Sequence, residues 1–532
     1  MERNILDFID THLQVLLPLE KELNDARWKS ALHGRPADAR RLAEKTKELE
    51  TLFADRESYA RILTYDEGGL TETEPTRRQL RLLRLSYAAC QLPRAALERI
   101  AEEEADIRKT VSEFRVPFYG HDLDVEGVRE WSYCLDDDVA RRELWEGANV
   151  LGERLGPMIL RLVGIRNRAA RELDYPDFYR MSLDLQELSE PRLFLTIEEL
   201  VRRTTEPYQD LKDEYDEEIA EYFGIDPSEL RVWHYTDSLL DPDGSPPIVD
   251  VEKYYARKDP TKLALDFFQG IGLEVGDIAR RSDLAPREGK SSQSLCVHMD
   301  RTGRDIRVSV AGTTREDRMR RVLHGLTVGA YHRYLGNDLP PLLRRPAHGL
   351  ISEALGRTMG ALSRDPDFLR DVVGAQPASL ATAGPELVGQ RRRDALVRAR
   401  WVPVLVHFEK ALYENPGQDL NRTWWDLVHY YLGIEPPEQR SGRHDWAAHL
   451  DFALRPVRCH ESLFADLVGA QFRAAMAREC GPGIVGNAAV GPFLASRLFK
   501  VGAARTWLGV LEGATGEPLK TTHFLEEILR ED

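Results

Sequence analysis

The sequence predicts a mainly α-helical protein with one small antiparallel sheet. Three observations carry that expectation. Apolar residues recur at helical spacing from the start of the chain, and Ala, Leu, Glu and Arg fill the segments between them. Strict apolar-polar alternation is convincing in one place only, at 294–311.

Ile5, Phe8, Ile9, Leu13, Leu16 and Leu17 set the first helical stripe, and the pattern stays strongly helical to residue 115. It resumes over 125–270, with breaks at 240–247 and near Pro260. The run Asp241-Pro242-Asp243-Gly244-Ser245-Pro246-Pro247 is dense in turn formers and reads as a loop. Next come Ser294-Leu295-Cys296-Val297-His298-Met299-Asp300, the turn Arg301-Thr302-Gly303-Arg304, and Asp305-Ile306-Arg307-Val308-Ser309-Val310. Two short alternating runs around a glycine-containing turn make a hairpin. Helices follow almost to the end. Loops are expected at Pro340-Pro341, at Asn415-Pro416-Gly417 and across 481–492. No internal repeat or low-complexity tract occurs. The chain divides on this reading into a helical half, 1–265, and a half, 266–532, that holds the hairpin and the helices after it.

A net charge of −16 argues against a nucleic-acid partner, because neutralising phosphates takes basic clusters. The short runs Arg391-Arg392-Arg393 and Arg344-Arg345 read as solvated surface. No apolar run of about 18 residues exists, so no membrane span is expected. The first residues are polar and amphipathic and lack the apolar core of a secretion signal. The 5 cysteines are few, odd in number and far apart, which points to free thiols and a cytoplasmic setting.

The chemistry concentrates at Val322-Leu323-His324-Gly325-Leu326-Thr327-Val328-Gly329-Ala330-Tyr331. A zinc peptidase of the relevant class places His-Glu-x-x-His on one helix. The two histidines lie one turn apart and share the ion, and the glutamate between them activates water. A further glutamate comes from the next helix. Here His324 stands, and Glu353 follows 29 residues later in Ser352-Glu353-Ala354-Leu355.

Other segments fall in the order of a known family. They are Ser282-Asp283-Leu284-Ala285-Pro286-Arg287-Glu288-Gly289-Lys290, Leu343-Arg344-Arg345-Pro346-Ala347-His348 and Leu362-Ser363-Arg364-Asp365-Pro366. His407-Phe408-Glu409-Lys410-Ala411-Leu412-Tyr413 and Asn421-Arg422-Thr423-Trp424-Trp425 follow. Together with the His324 helix they resemble the M2 and M3 zinc peptidases, the angiotensin-converting-enzyme and oligopeptidase type, in a bacterial branch. The resemblance implies a two-lobed helical ellipsoid of the zincin class. A small sheet would lie beside the motif helix, and a deep central cleft would be crossed by it. The half 1–265 would then supply lid and cleft wall, and 266–532 a degenerate peptidase core.

Carried over residue by residue, the resemblance breaks at the chemistry. The family helix reads Leu-His-Glu-Leu-Gly-His-Ala-Val-Tyr. Without a gap, its general base falls on Gly325 and its second zinc histidine on Val328, while the third ligand falls on Glu353. A family segment like Pro-Val-Tyr-Tyr-His-x-Tyr supplies phenols to the oxyanion. Its tyrosine positions fall on Arg458, Cys459 and Ser462, and its histidine on His460. The metal site is therefore expected to be vestigial, His324 and Glu353 without a third ligand, and no cofactor is expected, with weakly held zinc as the alternative. Gly325 has no side chain to take a proton from water. The lost base is worth about 10²–10⁴ in rate, and the lost oxyanion donors about 10²–10³.

Gly325 and Gly329 flatten one face of the helix, which calls for either a close neighbour or a ligand there. His324 is expected to hydrogen-bond Glu353, a pairing that would raise its pKa. Arg458 reads as an ion pair or as a carboxylate binder. Cys459 and His460 have the residue types of a nucleophile and base, but neighbours in sequence seldom face each other. His348 reads as structural, and Trp424, Trp425, Tyr430 and Tyr431 as core.

Three functions compete. A pseudo-peptidase would keep the cleft to bind a peptide, a peptide-like molecule or a protein partner, through His324, Glu353, Arg458, Cys459 and His460. A repurposed enzyme would run another reaction there on a small peptide-derived metabolite. An active peptidase would need substitute ligands, and His332 lies about 12 Å along the helix from His324, too far for one ion. The sequence argues against zinc-peptidase activity.

Overall fold

A computed structural model describes residues 2–68, 71, 73–235, 249–287, 290 and 294–529. The loop expected at 241–247 lies outside the described residues. Helices dominate, and among the described residues the strands form two two-stranded antiparallel sheets. The chain forms two compact units. One comprises Met1–Gln91, Pro247–Gln390 and Phe464–Phe524; the other comprises Leu92–Pro246, Arg391–Leu463 and Leu525–Asp532. The chain leaves and re-enters each unit, and the two halves of the sequence reading meet at residues 265 and 266. Both residues lie inside the helix Pro260–Gly270 of the first unit.

In the first unit, helix Glu2–His33 buries the stripe predicted for it: Ile5, Ile9, Leu13 and Leu16 pack with Phe53, Ile62, Leu80, Leu83 and Tyr87. Phe8 and Leu17 pack at the edge of this cluster. The predicted hairpin is present as Leu295–His298 paired with Ile306–Ser309, Cys296 opposite Val308. Backbone bonds from Asp283 extend it. Asp283 N–H donates to Val308 O at 2.9 Å, and Val310 N–H donates to Asp283 O at 3.0 Å.

The motif helix, Arg315–Arg333, is the centre of this unit. Met319, Val322, Leu323, Leu326, Ala330 and Tyr331 are each 0% exposed. An element this closely surrounded registers any change of side-chain volume.

The second unit is built on helices Asp138–Arg171 and Glu190–Phe223 and the C-terminal part of Pro377–Glu414. Its hairpin, Val116–Phe118 with His121–Leu123, was not expected from the sequence. The strands have 3 residues each and one contains Pro117, so no alternation is legible. The Tyr119-Gly120 turn takes φ of 47° and 81°, the left-handed geometry of a tight two-residue hairpin. Trp424, Trp425 and Tyr431 are core as expected, but Tyr430 is 69% exposed, on the opposite side of helix Leu420–Leu432.

Candidate functional site

The motif helix is fixed at its N-terminus by three separate devices. Thr314 caps it by accepting from Asp317 N–H at 3.1 Å. The Glu252 carboxylate accepts from the N–H groups of Arg315 at 3.1 Å and Glu316 at 2.9 Å, which satisfies donors that no helix can satisfy internally. The buried Glu316 carboxylate accepts from Ser363 Oγ at 2.7 Å and from Arg364 Nε at 3.1 Å and Nη2 at 3.0 Å. The segment Leu362-Ser363-Arg364 therefore acts as an anchor for the motif helix.

The two glycines answer to the hairpin. A Cβ on Gly325 would lie 2.5 Å from Val308 Cγ1, with Val310 next nearest. A Cβ on Gly329 would meet Ile278 at 3.3 Å and Ile306 at 3.6 Å. Bare helix backbone lets the strand Ile306–Ser309 approach this closely. The neighbour required by the flattened face is this strand, and its valine stands where a general base would project.

Helix Gly349–Ala361 carries Glu353. His348 caps it, Nδ1 accepting from Leu350 N–H at 3.0 Å. The structure brings His324 and Glu353 together, with His324 Nε2 3.6 Å from Glu353 Oε2. That is an ion-pair distance and too long for the expected hydrogen bond. The His324 ring lies over Gly356, where a Cβ would be 2.6 Å from Cε1 and 2.7 Å from Nε2. Glycine at 356 thus provides the shelf that the imidazole rests on.

The electrostatics at His324 reverse the expectation. Burial holds its pKa below the ordinary value; Glu353 pulls upward, but Arg357, Arg320 and Arg321 push down and the net shift is downward. The ring is neutral at neutral pH. It remains 34% exposed. The arginines are tied to carboxylates: Arg320 and Arg321 to Asp317, and Arg357 Nε to Asp466 at 3.0 Å.

These residues do not fit a catalytic zinc. His324 and Glu353 supply two donors, Val328 presents an aliphatic branch at the third, and Gly325 offers no base. Among the described residues no group of three or more His, Cys, Asp or Glu could hold a metal ion.

Arg458, Cys459, His460 and Ser462 belong to the second unit, whereas His324 and Glu353 belong to the first. Arg458 forms an ion pair with Glu461, the structural reading of that residue. Cys459 is buried; burial and the Glu409 carboxyl push its thiol far up, so it is a thiol and not a nucleophilic thiolate. His460 is 2% exposed. The segment's backbone is strained at Val457, a β-branched residue at φ 58°. Glu409 accepts its N–H at 2.6 Å and Gln186 Nε2 donates to its carbonyl at 3.1 Å, which holds that conformation.

Sequence reasoning missed Val308, Gly356, Arg357 and Glu409. Gly356, three residues after Glu353, was a readable signal for close approach. Glu409 stood in a quoted segment without a role. Val308 and Arg357 gave no signal, since their importance lies in partners on other elements.

The family model described as Peptidase M2, angiotensin-converting enzyme, matches residues 2–527. A curated relative, the inactive angiotensin-converting enzyme-related protein of Caenorhabditis elegans, is 24% identical over 120 residues, which cover 22% of this chain and 13% of the relative. The chain therefore spans a small part of that relative's length.

Proposed function

We propose, from a chain that belongs to the angiotensin-converting enzyme family of M2 peptidases, a catalytically degenerate member that has kept the family body to bind a peptide, a peptide-like molecule or a protein partner. The observation that carries this reading is Val308 packed on Gly325. A lost base at a vacant position is one substitution from repair. Here the strand has closed over the position, so the loss is built into the packing. The matching segment of a relative named as inactive supports the same reading.

Elemental analysis of the purified protein and a peptide library test it. Stoichiometric zinc is not expected, nor is any cleavage. Peptide turnover abolished by a chelator overturns the proposal. A cytoplasmic setting is part of it, supported by the free cysteines Cys90, Cys134, Cys296, Cys459 and Cys480. Among the described residues no helix is long and apolar enough to cross a membrane.

One observation favours a second reading, a repurposed enzyme acting on a small peptide-derived metabolite. His324 is held neutral, is partly exposed and stands beside Glu353, an arrangement suited to general acid–base work. A Glu353→Ala variant that folds normally and loses a metabolite-level phenotype would support it. An unchanged phenotype would remove it.

A further inference from the structure

A buried imidazole, His298, and a partly buried one, His332, join the far end of the hairpin to the far end of the motif helix. His298 closes the strand Leu295–His298, and His332 lies in the last turn of Arg315–Arg333. Their ring centroids are 4.9 Å apart with planes inclined at 51°. His298 is 8% exposed, and its Nε2 accepts from Gly303 N–H at 2.8 Å. That bond exists only while Nε2 carries no proton. His332 Nδ1 is buried and has no hydrogen-bond partner among the described residues.

We propose that this histidine pair is an acid-sensitive latch: a proton on either ring breaks the contact between hairpin and motif helix, and the strand Ile306–Ser309 then lifts from the Gly325 and Gly329 face. A proton on His298 Nε2 would point at the Gly303 N–H and convert an acceptor into a like donor. A proton on His332 would place a buried charge against the neighbouring ring. The turn takes left-handed backbone at Arg301, φ 57°, and Gly303, φ 74°, and Arg301 Nη1 ties it to Pro341 O at 3.0 Å.

The surrounding charges do not rescue an imidazolium. On the hairpin, Asp300 is engaged by Thr302 N–H at 3.1 Å and its hydroxyl at 2.6 Å. Asp305 is held by both nitrogen arms of Arg307, at 2.8 and 2.7 Å. Arg301 adds a positive charge beside both rings and is paired with Glu20 of the first helix. That helix also brings Lys21 toward Asp305 and Asp25 toward Arg307, and Asn24 Nδ2 donates to His298 O at 3.0 Å. Arg281 of helix Gly276–Arg281 faces Asp305, and Arg333 of the motif helix pairs with Asp277. Burial holds His298 down to about 4, with Arg301 adding to the fall and Asp300 and Asp305 offsetting only part of it; burial, then the His298 ring and Arg301, pull His332 down to about 3. Both are neutral at pH 7, and the latch is closed.

The inference stands without the binding function proposed above, because its readout is the hairpin itself. Hydrogen exchange of the full chain is followed from pH 7 downward and corrected for the intrinsic pH dependence of exchange. Peptides covering 295–309 are expected to lose protection progressively from about pH 6 down through about pH 4, by about tenfold or more per pH unit, ahead of peptides from helix Leu420–Leu432. His332→Gln is expected to move that loss to lower pH, and His298→Gln, which keeps an acceptor for Gly303, to do the same. Should one variant fail to fold, the other and the wild-type profile still decide. Loss of protection in both units in a single step overturns the latch, as does opening of either folded variant at the wild-type pH.

Discussion

Val308 fills the space that any side chain at Gly325 would need: a Cβ there would stand 2.5 Å from Val308 Cγ1. The contact joins a strand and a helix 17 positions apart in sequence, and it ties the missing base to the hairpin's packing. Drift at the helix alone would have left a hole opposite Gly325. A valine in place of that hole means that strand and helix fit each other as they are.

Gly325→Ala should therefore destabilise the protein although alanine is the better helix former. The propensity gain is about 1 kcal/mol, and the overpacking cost is about 1–3 kcal/mol. A net loss of about 1–2 kcal/mol in denaturant unfolding is expected, and Val308→Ala in the same chain should recover most of it. If Gly325→Ala is stabilising on its own, the strand yields more readily than its burial implies.

Val328→His is expected to restore metal binding without restoring hydrolysis. The variant offers His324, the new histidine and Glu353, the ligand set of an open catalytic zinc site. His324 and Glu353 already stand 3.6 Å apart, close to the span of two donors on one tetrahedral ion. Position 325 still lacks a base. Calorimetric titration with zinc should show stoichiometric uptake only in the variant, and peptide assays should stay blank. Zinc binding of equal strength by the unmodified chain would contradict the two-donor reading of the site.

The fold was largely legible because its signals are local. The stripe at Ile5, Ile9, Leu13 and Leu16 and the alternation around Val297 and Val308 are each contained in one element. The short hairpin around Tyr119 was not legible, because three-residue strands carry no period. In the site, the pair His324 and Glu353 was legible from spacing. The direction of the shift at His324 was not, since it depends on Arg357 arriving from another helix and on burial outweighing Glu353. Tyr430 failed for a related reason: helical spacing names a face only when the axis of the core is known.

The anchor at Glu316 gives a stability prediction independent of the site's chemistry. Glu316→Ala would remove the carboxylate that accepts from Ser363 Oγ and from Arg364. A buried pair broken on one side costs about 3–5 kcal/mol, but Arg364 is partly exposed, so about 2–3 kcal/mol is expected. The motif helix itself should persist, because Thr314 and Glu252 still cap it. A loss below about 0.5 kcal/mol in urea unfolding would mean that the anchor contributes only geometry.

Glu409 makes the second unit pH-dependent in the alkaline direction. Burial pushes its carboxyl up to about 8, and the bonds from Val457 N–H and Cys459 offset only part of that. The folded chain thus holds a proton here that the unfolded chain has released above its ordinary carboxylate range. Stability from this group is highest at acid pH and falls as the pH rises toward 8, levelling off above it. The full difference is at most about 5 kcal/mol. Glu409→Gln mimics the protonated acid and keeps an acceptor for Val457. Its stability relative to the unmodified chain should rise by a few kcal/mol between about pH 5 and pH 9. The buried neutral histidines act oppositely and cancel in that comparison, because both chains carry them. A difference that stays flat across the range would mean that Glu409 is ionised in the folded protein at all these pH values, with Val457 N–H and Cys459 holding the charge.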